Sequence, residues 1–207
     1  MKASLNLQNK KDTQIFHRVP KAFFVLVTTW ICSTSSAILF EGGVSGGGGN
    51  MISPKPPLSA NNPEIVEEIV GRSQNTVLNY LWQKRTDFEA NRLSASHREA
   101  FAPVFENPLR IEDAVRGTRL HIAEERSCWD SQHKPVDGST FSKEANSICI
   151  SAYNIAKKAD LSDIHPQSVA LMIHEYSELI GLSEEQAVKA QAKALEELRA
   201  LNLLEQK

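Results

Sequence analysis

His174, Glu175 and Glu178 fall within five consecutive residues, and Glu184 and Glu185 follow just past Gly181. On a helix, residues four apart share one face. His174 and Glu178 can therefore offer an imidazole nitrogen and a carboxylate oxygen to one point, and both are metal-ligand types. A carboxylate next to the first ligand is placed to take a proton from a water activated there, which is the position of Glu175. Glu184 and Glu185 open the next helical stretch and offer a third ligand if the chain turns back at Gly181. A His/Glu/Glu set is harder and more anionic than a His-rich one, so it is friendlier to manganese or iron. Zinc still accepts carboxylate oxygen. Two carboxylates offset the charge of a divalent ion, which weakens its pull on bound water.

A plainer explanation covers the same residues. On a helical wheel Val169, Met172, Ile173, Tyr176 and Ile180 make an apolar face. His174, Glu175 and Glu178 lie off it, as on any surface helix. Glu184 and Glu185 equally suit the positive start of a helix.

The segment resembles the active-site helix of zinc peptidases of the HExxH type, in the gluzincin branch where the third ligand is a Glu from the next helix. Glu178 stands where those proteins carry the second His. More narrowly, the chain resembles uncharacterised exported bacterial zincin-like proteins with an Ile-Cys-Leu/Ile-Ser strand, an HExxH helix, then Gly and Glu-Glu-x-Ala. Ser147-Ile148-Cys149-Ile150-Ser151 supplies the strand here, and the likeness spans residues 147–190. It implies zinc as cofactor, His174, Glu178 and Glu184 or Glu185 as metal ligands, and Glu175 as catalytic base. With one His replaced, it implies a weak or degenerate metallohydrolase, metallopeptidase-like, or a pseudoenzyme that kept the fold. The alternative is a metal-free helical interaction or envelope-structural protein.

The elements that must position these residues read as an α+β domain over residues 63–207. Asn62 can cap a helix with Pro63 at its first position. Apolar residues from Ile65 to Phe88 recur at helical spacing up to about Asn91. Ser96-His97-Arg98-Glu99 has the form of a capping box for a short second helix. β-Compatible pieces at 118–122 and Ser147–Ser151, with turn signals between, predict a small sheet. A helix from Pro166 to about Ile180 stops at Gly181, and Ser183-Glu184-Glu185-Gln186 is a capping box for the last helix. Residues 38–62 are rich in Gly and Pro and read as a flexible linker.

Ahead of that linker, Lys2, Lys10, Lys11, Arg18 and Lys21 precede an apolar run over 22–32 and a small-residue stretch ending at Ala37. This basic, apolar, small order describes a secretory signal peptide over residues 1–37. It predicts a periplasmic or secreted protein, with an uncleaved anchor or a lipoprotein on Cys32 as weaker alternatives. Cleavage leaves 18 of the 23 basic and 24 of the 25 acidic residues. A net charge near −6 excludes nucleic acid as the expected partner. It also leaves no membrane span, and any peptide or protein partner is unidentified. Cys128 and Cys149 then remain, and in an oxidising compartment they are expected to pair as a disulfide. Intact mass of protein from an exporting host should place the mature N-terminus near Ile38. A cytoplasmic chain that retains Met1 would overturn this.

Overall fold

The structure is a computed structural model that describes residues 48–59, 61–141 and 146–205. The expected signal peptide, residues 1–37, lies outside them. Six helices and five strands among the described residues make an α+β fold. α1 (Pro63–Glu89) starts as expected, with the Asn62 side chain accepting from the Glu64 N–H at 3.0 Å and Pro63 in the first turn. It buries Val66, Val70, Val77 and Leu81. α2 (Ala95–Phe105) is capped by Ser94, which accepts from the His97 N–H. The capping residue is thus two positions earlier than the Ser96 box suggests.

α3 (Ile111–Gly117) leads into β1 (Arg119–Ala123), and α4 (Ala152–Lys158) leaves β5 (Ser147–Ser151). Neither short helix was legible in the sequence, because seven residues span too few turns for a periodic stripe to show. β4 (Gly138–Phe141) completes a three-stranded sheet in the order β1-β5-β4, with β1 parallel and β4 antiparallel to the central β5. β2 (Cys128–Trp129) and β3 (Pro135–Val136) form a separate antiparallel pair. A disulfide between Cys128 and Cys149, Cα atoms 6.0 Å apart, ties that pair to β5.

α5 (Leu161–Leu179) is the central element and α6 (Glu184–Glu205) packs along it. α5 begins five residues before Pro166, because Asp160 accepts from the Ser162 N–H and supplies the cap. It is buried on all sides along most of its length, so the amphipathic surface helix expected here is corrected. α1, α3, α6 and the sheet each cover one side of it. Buried hydroxyls on α5 are satisfied within the helix, Ser168 donating to the Ile164 carbonyl and Ser177 to the Ile173 carbonyl.

The Gly/Pro-rich segment also differs from a flexible linker over the residues described. The Met51 N–H donates to Asp137 Oδ2 at 3.1 Å, the Gln167 amide donates to the Ile52 carbonyl at 2.9 Å, and the Lys55 N–H donates to Asp163 Oδ2 at 3.1 Å. Backbone groups of this segment meet side chains presented by the domain, which composition alone does not reveal. Met51 itself is buried in the core.

The disulfide closes a loop with sequence separation 21. Replacing both cysteines by serine should lower stability by ~3 kcal/mol, read as an earlier urea midpoint. An unchanged midpoint would show that the crosslink constrains nothing in the unfolded chain.

Candidate metal centre

The C-terminal third of α5 carries the site, and the turn after it completes the set. Gly181 has φ +90°, a left-handed conformation that glycine adopts without cost. The Gly181 and Leu182 N–H groups donate back to the Glu178 and Ser177 carbonyls, which closes α5. Ser183 and Gln186 then exchange the reciprocal bonds of a capping box at the start of α6. This reversal swings Glu184 over the helix it has just left.

Ligand atoms of His174, Glu178 and Glu184 all lie within 4.8 Å of one another. His174 Nε2 is 3.5 Å from Glu184 Oε2 and 3.9 Å from Glu178 Oε1. Two donors bound to one tetrahedral zinc lie roughly 3.4 Å apart, given bond lengths of 2.0–2.2 Å, so the spacing suits a shared ion. It suits direct hydrogen bonding poorly. Neither ring nitrogen of His174 has a hydrogen-bond partner, and neither has Glu178 Oε2, although all three atoms are buried. Buried polar atoms without partners are uncommon and costly, and here His174 Nε2 and the Glu178 carboxylate belong to one cluster of metal-donor groups. The group could hold a metal ion. Among the described residues no hydrogen bond of good geometry orients the His174 Nδ1, a bond that metal-binding histidines usually make, although the Gln191 side chain lies close enough to act on the ring.

Glu185 does not join. It is exposed and pairs with Lys189 at 2.8 Å, so of the two acids opening α6 only Glu184 reaches the cluster. Glu184 is also its exposed edge, with 53% of its side chain open to solvent, whereas His174 and Glu178 are buried.

Glu175 is not one of the converging ligands; it lies beside His174, held by groups from other elements. Its Oε1 accepts from the Gly49 N–H at 3.0 Å, and its Oε2 lies 2.9 Å from Thr140 Oγ1, which is also 3.0 Å from the Glu175 carbonyl. β4 and residues 48–50 border Glu175. A Cβ on Gly138 would lie 2.6 Å from Glu175 Oε1. One on Gly49 would lie 2.6 Å from that oxygen and 2.7 Å from His174 Cδ2. Only glycine lets both backbones approach the carboxylate this closely. Gly49, Gly138 and Thr140 were missed in the sequence. A glycine run upstream of an acid-bearing helix is the one signal that could have suggested the first of them.

Electrostatics follow from burial. Burial pushes Glu175 up to about 7, against the pull of His174, Thr140 and the Gly49 N–H. Glu178 is pushed up to about 10 by burial first, then by repulsion from Glu175 and by Glu184. The His174 ring holds Glu184 below its ordinary value despite partial burial. For His174 burial works downward, but Glu184, Glu175 and Gln191 outweigh it and the net shift is upward.

A raised carboxyl stays protonated in the fold after the unfolded chain has ionised. The fold then binds more protons, and the stability of the metal-free protein falls as pH climbs from about 4.5 toward about 10. Glu178→Gln should flatten this slope, by up to ~1.4 kcal/mol per pH unit, in unfolding curves taken with a chelator between roughly pH 6 and 8. A variant as pH-dependent as the parent would show that Glu178 ionises freely in the fold. No protein-family model, curated protein or solved structure matches this chain, so its own geometry carries the functional reading.

Proposed function

We propose that this chain is an exported metal-binding protein with a zincin-like, metallohydrolase-type centre of weak or degenerate activity. The observation that carries the reading is the convergence of His174, Glu178 and Glu184, because Glu184 comes from a different helix and helical spacing alone cannot bring it there. A divalent ion held there supplies Lewis-acid polarisation of a substrate oxygen. Glu175 would hold and release the proton: a carboxyl pushed up to about 7 is matched to proton transfer near neutral pH. Thr140 and the Gly49 N–H fix its orientation. The second carboxylate in the ligand set and the lack of a well-formed hydrogen bond at His174 Nδ1 both favour weak over efficient catalysis. Export has the support of the Cys128–Cys149 disulfide, since such bonds persist in oxidising compartments. No described helix is long and apolar enough to cross a membrane.

Metal analysis after purification without chelator, followed by calorimetric titration with zinc and manganese, tests the reading. One equivalent should bind. Losing a residue that only orients a ligand costs ~10–100-fold in affinity, so His174→Ala and Glu184→Ala, which remove ligands, should each cost more than ~100-fold, while Glu185→Ala should change nothing. Glu178→His should raise zinc affinity if the remaining ligands are in place. A folded parent that binds neither ion would favour the metal-free interaction or envelope-structural reading.

A further inference from the structure

Residues 48–55 cross α5 and the edge of the sheet with a bend at Ile52 and Ser53, where Ser53 has φ 41°, and apart from Met51 and Ile52, which pack on the core, they are held through their backbone. The Gly49 carbonyl accepts from the Gly138 N–H at 2.9 Å on β4, the outer strand of the sheet, while the Gly49 N–H donates to Glu175. The Gln191 amide donates to the Asn50 carbonyl at 2.8 Å, and Arg199 donates to the Ser53 carbonyl at 3.0 Å. With the Gln167, Asp137 and Asp163 contacts given above, donors and acceptors of the domain read this stretch in the way a groove reads a bound strand. Gly49 is pressed against both Glu175 and His174.

The consequence is steric. His174 and Glu175 are 0% exposed, whereas Glu184 opens to solvent. A small ion can approach past Glu184. Nothing larger can touch Glu175 while Gly49 sits on it. We propose that residues 48–55 are an autoinhibitory strap, a displaceable segment that closes the Glu175 face and must leave before any substrate reaches it. That the opening serves catalysis rests on the metallohydrolase reading; the displacement itself does not. The slot that the strap vacates fits a polypeptide backbone with no side chain at the position facing Glu175.

Chemical modification of His174 tests this in the full chain, held metal-free with a chelator so that a bound ion cannot shield the ring. Diethyl pyrocarbonate acylates accessible imidazoles, and peptide mass spectrometry reads the rate at His174. The parent should be nearly inert. Gly49→Ala, whose Cβ cannot coexist with Glu175 Oε1, should raise the rate at least ~10-fold, a modest 1.4 kcal/mol or so in the opening equilibrium. A synthetic peptide of residues 47–55 added in trans should restore protection. Should Gly49→Ala fail to fold, Gln167→Ala decides instead. It removes one strap bond seven residues along α5 from His174 and should raise the rate roughly fivefold, as loss of about one buried hydrogen bond implies.

Amide exchange in α5 must stay slow while His174 becomes reactive. Three results would each overturn the proposal: a folded variant as inert as the parent, reactivity that rises only together with α5 exchange, or no protection by the peptide. A parent that binds no metal would sink the metallohydrolase reading and leave this result standing.

Discussion

An ionisable helix face placed at the centre of a domain sets the terms for everything around it. α5 carries His174, Glu175 and Glu178 fully inside the protein, where an isolated carboxylate costs several kcal/mol unless it is paired or hydrogen-bonded. Glu175 meets that demand with one backbone N–H from outside the helix and one hydroxyl from the sheet edge. Neither donor can come close unless the chain around it lacks a side chain. The glycines at 49 and 138 are therefore consequences of where Glu175 is buried. The course of residues 48–50 and the placement of β4 follow from the same requirement.

The same logic extends down the helix. Asp163, also buried, is bound by the Arg199 guanidinium through both Nε and Nη2, by Gln167, and by the Lys55 N–H. Burial alone would raise its carboxyl, yet these partners hold it below its ordinary value. Asp137 plays a matching part, collecting the Met51 N–H, the Asn154 amide and Lys158. Each of these acids takes one donor from the segment 48–55 and others from the domain. That segment is thus ordered by buried carboxylates more than by apolar contact, with Met51 the principal side chain it contributes to the core. Polar anchoring of this kind can be exchanged for water or for another backbone at smaller cost than a packed apolar strand.

Legibility in the sequence tracked the range of the interactions. Local signals were read well: the cap and Pro63 at the start of α1, β5, the stop at Gly181, the box that opens α6, and the cysteine pair. What depended on distant partners was not. The periodicity of α5 suggested one apolar face because hydropathy scores His174, Glu175 and Glu178 as polar, whatever awaits them. Only the packing of α1, α6, the sheet and residues 48–50 around them turns that face inward. Composition misread residues 48–59 for the same reason, since a segment with few apolar side chains can still be fixed through its backbone. Convergence of His174, Glu178 and Glu184 was expected from the tight turn, but the choice of Glu184 over Glu185 needed the actual rotation of α6.

Glu178 is where the energetic argument for a cation becomes strongest. Without one, the cluster keeps a buried imidazole with no well-formed hydrogen bond and a carboxyl held protonated first by burial and then by two neighbouring acids. Replacing such a set by apolar residues of similar volume is often neutral or stabilising, so ordinary packing gives no reason for it. An interior merely tolerating polar residues would pair them, as this one does at Asp137 and Asp163. The His174, Glu178 and Glu184 groups approach one another only at 3.5–3.9 Å, too far for good hydrogen bonds and at spacings that a single ion would satisfy. A divalent ion would bind the unpartnered nitrogen, discharge the proton from Glu178 and remove the repulsion among the carboxylates in one step. The cost that the metal-free fold carries at this point is thus also the driving force for binding, which ties the stability of α5 to occupancy of the site.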